Sequence, residues 1–178
     1  MIDKAFIDSH IDKLTDCVNK ASKEIINVYE GDDFGHIEKS DGSPLTIADK
    51  NANQVILDDL KSISSDISII SEETFENNQL KNLDKTYWLV DPLDVTKEFI
   101  NKNDEFTVNI ALIDNKQAIF GIVAAPVTGK VWYGSVFDKN ITEEGSVDKI
   151  RIVMSKSHKS ANDKAFLEFI DSKNINYE

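Results

Sequence analysis

Pairs of acidic residues follow two apolar segments of this sequence, at the points where each segment should end as a β-strand. Asp91 and Asp94 follow the segment Tyr87–Val90, and Glu72 and Glu73 follow the previous apolar segment. If the two strands are neighbours, the carboxylates converge and repel one another, so that some of them stay protonated. A divalent cation relieves this repulsion, and hard cations such as Mg²⁺ prefer oxygen ligands. The candidate ligands are therefore the four acids Glu72, Glu73, Asp91 and Asp94, and the Leu93 carbonyl between the last two lies within reach of the same cation.

A helix start that can bind phosphate is predicted directly after these acids. Pro92 fixes its own φ and is expected to end the strand pairing. Thr96 then opens a short helical turn, whose free backbone N–H groups can bind an anion. A metal ion beside that anion can polarise a phosphoryl oxygen, lower the pKa of a bound water toward about 7 and orient the leaving group. This combination suits the hydrolysis of a phosphate ester.

Asp49 and Thr96 allow two interpretations. Asp49 lies three residues after Thr46, a spacing typical of a helix N-terminus whose first turn carries an acid, and Thr96 suits a plain N-cap. In the functional interpretation the two form a pair, in which the Thr96 hydroxyl transmits hydrogen-bond polarity from Asp49 to an attacking water. Acids at strand ends are also commonly turn residues or helix caps. The residues alone leave both interpretations open.

Composition narrows the range of partners and compartments. The chain has 178 residues and a formal net charge of −12, which argues against nucleic acid because phosphates require a basic face. The charge does not exclude a small phosphorylated substrate, since bound cations can reverse the local field. Cys17 is the only cysteine, which fits a reducing compartment, and its helical context indicates a packed thiol. No apolar run has the length of a signal peptide or a membrane span, so we expect a soluble, cytoplasmic protein.

Apolar periodicity predicts an α+β fold. Steps of three and four predict a long helix over 3–29 and a second helix after Thr46, while alternating and β-branched segments predict strands, several of them in an antiparallel meander. We expect two long helices on one face of a mostly antiparallel sheet in residues 1–148, a metal-binding domain, and the start of an incomplete second α/β domain in residues 149–178. The predicted strands are residues 67–71, 87–90, 106–113, 119–125, 131–136 and 150–154, and the last predicted helix is 162–170.

Several motifs resemble the inositol monophosphatase-like superfamily of metal-dependent phosphatases, which has a layered helix–sheet fold. Within it, the motifs are most similar to the 3'(2'),5'-bisphosphate nucleotidase branch of CysQ type. Lys97-Glu98-Phe99 resembles that branch, whereas the inositol branch usually has Thr-Asn-Phe there. The motifs that carry the resemblance are Asp41–Asp49, Ser71–Glu73, Trp88–Asp94, Thr96–Ile100 and Phe106–Ile113.

The resemblance implies a role for each candidate residue. Mg²⁺ would be held by Glu72, Asp91, the Leu93 carbonyl and Asp94. The catalytic residues would be Asp49, Glu73 and Thr96, with Asp49 and Thr96 orienting the nucleophilic water. The substrate-binding residues would be Glu72, Leu93, Asp94, Val95 and Thr96, with the N–H groups around Val95 and Thr96 on the phosphate. The implied reaction is hydrolysis of the 3'-phosphate of adenosine 3',5'-bisphosphate, a small nucleotide, to AMP and phosphate in sulfate assimilation. Peripheral association with the inner membrane is a further family trait.

Two departures from the family pattern bear on activity. Val95 stands where the family has glycine. If the position requires a glycine-like φ, the valine backbone is strained by on the order of 1–3 kcal/mol. If φ is ordinary, the cost is mainly a steric one, between the valine side chain and the phosphate or metal. The second half of the family pattern, with its Trp-Asp motif, has no counterpart here, so we expect impaired activity and exposed apolar surface that favours self-association or a partner carrying the missing half. The alternatives are an inactive family fragment that acts as a metal-binding or interaction module, and an inositol monophosphatase.

Overall fold

The described part of the chain falls into two compact units. In a computed structural model of the chain, the first compact unit comprises residues 1–139 and the second comprises residues 140–178. The predicted boundary between residues 148 and 149 lies outside the described residues and stays a prediction. The structure describes residues 2–31, 34–35, 37–38, 44–76, 83–138, 152, 160–173 and 175.

The first unit contains three α-helices and seven strands among its described residues, and one helix is described in the second unit. The helices are α1 (Lys4–Tyr29), α2 (Ile47–Ile63), α3 (Thr96–Ile100) and α4 (Ala161–Ser172). The strands are β1 (Ile37–Glu38), β2 (Pro44–Leu45), β3 (Ser68–Ser71), β4 (Thr86–Asp94), β5 (Thr107–Asp114), β6 (Gln117–Ala125) and β7 (Lys130–Ser135).

Helix α1 confirms the long amphipathic helix predicted over residues 3–29. Asp3 caps it, because its carboxylate accepts a hydrogen bond of 2.9 Å from the backbone N–H of Phe6. Its apolar positions at steps of three and four form one buried stripe. Cys17 belongs to that stripe, and burial raises the pKa of its thiol to about 12, as expected of a packed and unreactive side chain. The buried positions are Ile7, Leu14, Cys17, Val18, Ala21 and Ile25.

Helix α2 begins where the sequence predicts it. Thr46 is the N-cap and forms a reciprocal capping box with Asp49, which satisfies two backbone N–H groups that the first helical turn leaves unpaired. Further along α2, Ala52, Ile56 and Leu60 are buried in the core. Because α1 and α2 both pack on the same layer of apolar strand residues, the two helices lie on one face of the sheet.

The main sheet has the order β3-β4-β5-β6-β7 within the described residues. Strand β3 is parallel to β4, and the other neighbours are antiparallel, which confirms the predicted meander and the α+β class. Inward-facing residues of three strands alternate with outward-facing ones and complete the core. These inward residues are Trp88, Val90, Val108, Ile110, Leu112, Phe120, Ile122 and Ala124.

Strand β4 does not end where the sequence predicts. Pairing was expected to stop before Asp91 because of Pro92, but the strand continues to Asp94, which pairs with Thr107. The register shifts between Asp91 and Asp94, so that two β4 residues lie opposite one residue of β5. A bulge of this kind has no ladder position for the extra residue, and a proline without an N–H is therefore accommodated there.

An aromatic cluster holds the short helix α3 against the end of α1. The Phe99 ring lies 5.2 Å from Tyr29, 5.2 Å from Phe34 and 5.3 Å from Phe106 between ring centroids. Tilted and edge-on pairs of this kind are favourable beyond their buried area. The cluster fixes a helix that is too short to be stable alone.

The second unit contributes one described helix. Ser160 and Asp163 form a capping box at the start of α4, which contains the predicted helix 162–170. Of the predicted strand 150–154, only Ile152 is among the described residues. None of the described helices combines the length and apolar character that a bilayer crossing requires.

A buried hydrogen bond between α2 and β4 generates a stability prediction. Trp88 Nε1 donates to Ser64 Oγ at 2.9 Å, and both residues are buried. Ser64→Ala is expected to lower the free energy of unfolding by about 1–3 kcal/mol, because the indole N–H loses its partner without access to water. Urea denaturation measures this, with the adjacent exposed Ser65→Ala as control. Equal stabilities of the two variants would contradict the assignment.

Candidate active site

The parallel pairing of β3 and β4 brings two of the predicted ligands together. Ser71 pairs with Val90 in this register, so the residues that follow them, Glu72 just beyond β3 and Asp91 within β4, lie side by side. Glu72 opens a short 3-10 turn, Glu72–Thr74, in which Glu73 is half-buried. The structure therefore places Glu72 beside Asp91, with Glu73 as the next residue of the turn.

Asp91 is the electrostatic centre of this arrangement. Burial, followed by the charges of Glu72 and Asp94 and a hydrogen bond with Glu72, raises the pKa of Asp91 from 3.8 to about 7. Its Oδ1 atom is buried and has no hydrogen-bond partner. A buried carboxylate oxygen without a donor, next to two further acids, is unfavourable unless a cation compensates it.

Asp94 is held from the neighbouring strand. Asn109 Nδ2 donates a hydrogen bond of 3.1 Å to Asp94 Oδ2, which orients the carboxylate. Sequence reasoning missed Asn109. The signal that could have found it is the alternation of β5, which places Asn109 on the face opposite the buried Val108 and Ile110.

Asp49 and Thr96 come together, and Asp49 also caps α2. The N-cap interpretation of Thr96 is wrong, because Thr96 is the first residue of α3 and the N-cap is Val95. Asp49 Oδ2 accepts hydrogen bonds from the Thr46 N–H at 2.6 Å and from its hydroxyl at 2.5 Å, which is the capping role. Asp49 Oδ1 lies 3.3 Å from Thr96 Oγ1, so the two residues that were predicted to form a pair are in hydrogen-bond contact. The Thr96 hydroxyl also lies 3.1 Å from the Leu93 carbonyl oxygen. Asp49 is 1% exposed, so its orientation is fixed by these contacts.

Val95 adopts a left-handed conformation, with φ 65° and ψ 48°. This decides the question that the sequence leaves open, because the position does require a glycine-like φ. A β-branched residue with positive φ is a genuine outlier. A left-handed residue next to helical residues is a conformation in which successive backbone N–H groups can form an anion-binding concavity.

Glu98 is a second buried acid close to this turn. It is 5% exposed and its Oε1 atom has no hydrogen-bond partner, while Oε2 accepts from Asn103 Nδ2. Asn103 in turn accepts from the Glu105 N–H at 3.0 Å. Glu98 therefore ties α3 to the segment that leads into β5, and sequence reasoning assigned it no site role.

The donors present fit a divalent cation. In the described part of the chain, no three Asp, Glu, His or Cys side chains already converge around one point as a preformed centre would. The available ligands are nevertheless all oxygens, the type that hard cations prefer, and the unpartnered Asp91 oxygen sits beside two like charges. A cation that draws Glu72, Asp91 and Asp94 together would remove both unfavourable features.

The sequence matches a known protein family and two curated relatives. The profile of the inositol monophosphatase family matches residues 9–173. The curated 3'(2'),5'-bisphosphate nucleotidase CysQ of Escherichia coli (strain K12) is 40% identical over 168 residues, which are 89% of this chain and 68% of that protein. The same-named protein of Buchnera aphidicola subsp. Acyrthosiphon pisum is 39% identical over 171 residues, 90% of this chain and 64% of that protein.

A solved structure agrees with these sequence matches. The crystal structure of CysQ from Bacteroides thetaiotaomicron, a bacterial member of the inositol monophosphatase family, superposes with a TM-score of 0.76 at 29% identity. The superposition covers 95% of this chain and 71% of that one. The layered helix–sheet arrangement is thus shared with a member of that family.

The strain at Val95 generates the second prediction. Val95→Gly is expected to raise the free energy of unfolding by about 1 kcal/mol, because glycine accepts a positive φ without steric cost, and this gain exceeds its greater freedom in the unfolded chain. Urea denaturation measures the change. Val95→Ala is the control, since it shortens the side chain but keeps the strained φ. A Val95→Gly variant no more stable than Val95→Ala would show that the strain is absent.

The raised pKa of Asp91 generates the third prediction. An acid whose pKa is higher in the folded chain binds more protons when folded, so its contribution to stability is present at low pH and is lost as pH rises from 3.8 through about 7. In chelator-treated protein, Asp91→Asn should therefore match the wild type near pH 4 and exceed it near pH 8 by on the order of 1–3 kcal/mol.

Denaturant titrations of both proteins across this pH range measure the difference. Asp12→Asn, an exposed acid on α1, is the control and should track the wild type at every pH. A constant difference between Asp91→Asn and the wild type would mean that Asp91 is not the group responsible.

Proposed function

Because the chain belongs to the inositol monophosphatase family, we propose that it is a 3'(2'),5'-bisphosphate nucleotidase, which hydrolyses the 3'-phosphate of adenosine 3',5'-bisphosphate to AMP and phosphate. Members of this family are metal-dependent phosphatases. The observations that support the proposal are the charges of Glu72 and Asp94 acting on Asp91 and the contact between Asp49 and Thr96, in a chain 40% identical to a curated nucleotidase over 168 residues.

The ion that best suits these donors is Mg²⁺, since every candidate ligand is an oxygen. When bound, such an ion would supply charge stabilisation at the phosphoryl oxygens and acidify a bound water. The residues that would hold it are Glu72, Asp91, the Leu93 carbonyl and Asp94. Asn109 supports this set by keeping Asp94 in place through its 3.1 Å hydrogen bond.

Asp49 and Thr96 orient the nucleophile in this proposal. When the Thr96 hydroxyl donates to Asp49, its oxygen lone pairs stay free to accept a hydrogen bond from the attacking water and so aim the water's oxygen at phosphorus. Thr46 holds the second oxygen of Asp49, so the carboxylate cannot rotate away. Glu73, one residue beyond Glu72, is assigned as a further catalytic acid beside the reacting group.

The phosphate would be bound at the turn after Asp94. A left-handed residue followed by helical residues, as at Val95 and the start of α3, is a combination whose backbone N–H groups can bind the negative charge of a phosphoryl group. Substrate contacts are accordingly assigned to Glu72, Leu93, Asp94, Val95 and Thr96. A valine side chain at this turn also narrows the space that glycine would leave to the ligand.

One observation favours a second candidate function. The left-handed Val95 occupies the turn that should approach the phosphate, and this favours an inactive module that binds metal without turnover. An inositol monophosphatase activity has no comparable support, because Lys97-Glu98-Phe99 differs from the inositol-branch sequence at this turn.

The fourth prediction tests the catalytic assignment. Phosphate release from adenosine 3',5'-bisphosphate is expected to require Mg²⁺, and Thr96→Val is expected to lower kcat at least about 10²-fold because the nucleophile loses its oriented acceptor. Thr96→Ser keeps the hydroxyl and should retain most of the activity. Steady-state assays measure both variants, with inositol monophosphate as the competing substrate.

Three results would decide between the candidates. Equal rates for Thr96→Val and Thr96→Ser would remove Thr96 from the mechanism. Faster turnover of inositol monophosphate would change the substrate class. No turnover in either the wild type or Val95→Gly, with cation binding intact, would establish the inactive module.

A further inference from the structure

We propose that Asn53 is a positioning residue that fixes Glu72 relative to Asp91 and thereby sets the affinity of the site for its cation. Ser71 Oγ donates a hydrogen bond of 2.6 Å to Asn53 Oδ1. Asn53 is 6% exposed and Ser71 is 1% exposed, so water does not compete for this bond. The inference deepens the proposed function and rests on it, because it takes Glu72 and Asp91 to share one cation.

Ser71 lies where a serine normally caps the turn that follows it. It is the N-cap of the 3-10 turn that begins at Glu72, yet its side chain makes no capping hydrogen bond. N-cap serines typically accept a hydrogen bond from a backbone N–H two or three residues further on. Here the hydroxyl is directed at Asn53 of α2 instead. The tertiary contact therefore ties the Glu72 end of β3 to the helix.

A single face of α2 holds both acid-bearing strand ends. Asn53 follows Asp49 by four residues, which places the two on the same side of the helix. Asp49 contacts Thr96 beyond the end of β4, and Asn53 contacts Ser71 at the end of β3. Because Ser71 pairs with Val90, this common anchor also aligns the acids that follow each of them.

Loss of this bond has a local consequence. Removal of either partner leaves the other as a buried polar group without a hydrogen bond, and the end of β3 is released from α2. Residues that orient metal ligands typically change metal affinity by about 10–100-fold when they are replaced. Asn53 touches neither the cation nor the water in the proposed reaction, so its effect passes through Glu72.

The fifth prediction is a loss of cation affinity in two independent variants. Asn53→Ala and Ser71→Ala are each expected to weaken Mn²⁺ binding about tenfold, measured by electron paramagnetic resonance of free Mn²⁺ in titrations of the metal-free protein. The double variant should be no weaker than either single one, since both remove the same bond. Ser71→Thr keeps the hydroxyl and should restore wild-type affinity.

Ser64→Ala is the matched control for these variants. It also removes a buried hydroxyl that takes part in a hydrogen bond, at 2.9 Å from Trp88 Nε1, but it follows the last turn of α2, away from Asp49. It should therefore reduce stability without changing Mn²⁺ affinity. If Ser64→Ala weakens Mn²⁺ binding as much as Ser71→Ala does, the effect is general destabilisation and the positioning role is refuted.

Hydrogen–deuterium exchange of the metal-free protein separates this inference from the proposed function. Exchange at residues 71–74 should increase in Asn53→Ala and Ser71→Ala but not in Ser64→Ala. Unchanged exchange, or increased exchange with wild-type Mn²⁺ affinity, overturns the positioning role. A wild-type chain that binds no Mn²⁺ overturns the proposed function and the affinity effect with it, whereas the anchoring of Glu72 is then judged by exchange alone.

Discussion

Repulsion between like charges at adjacent strand ends is the constraint on which this structure depends. The parallel pairing of β3 and β4 places Glu72 beside Asp91, and Asp94, beyond the bulge, is near enough for its charge to act on Asp91. Burial and these neighbours raise the pKa of Asp91, which means that its charged form is disfavoured in the metal-free fold. A ligand that binds only the folded chain stabilises it, so a cation bound at the proposed site would stabilise the fold.

The bulge and the turn after it bring the Thr96 hydroxyl close to Asp49. Pro92 lies in the bulge, and the strand therefore reaches Asp94 before the chain reverses at Val95. The reversal points the Thr96 hydroxyl back at Asp49. Backbone strain of the kind found at Val95 persists only where the surrounding structure over-determines it, and the packing of Phe99 in its aromatic cluster provides that restraint.

Sequence patterns predicted most of the elements, and the nearness of Glu72 and Asp91, because both depend on local spacing. The capping box at Thr46 and the acids after two strands are visible in the order of residues. The end of β4 was wrong because Pro92 is excluded from a regular ladder but not from a bulge. Asn53 and Asn109 were missed because they contact Ser71 and Asp94, which are 18 and 15 residues away in the sequence. Helix and strand periodicity does not predict contacts between residues so far apart.

The most direct test is calorimetric titration of the metal-free chain with Mg²⁺, comparing the wild type with Asp91→Asn and with the exposed control Asp12→Asn. The account predicts that the wild type and Asp12→Asn bind the cation alike, and that Asp91→Asn loses at least about tenfold in affinity because a ligand oxygen and its charge are gone. Equal affinity in all three proteins would contradict it, since the acids at these strand ends would then not form the site.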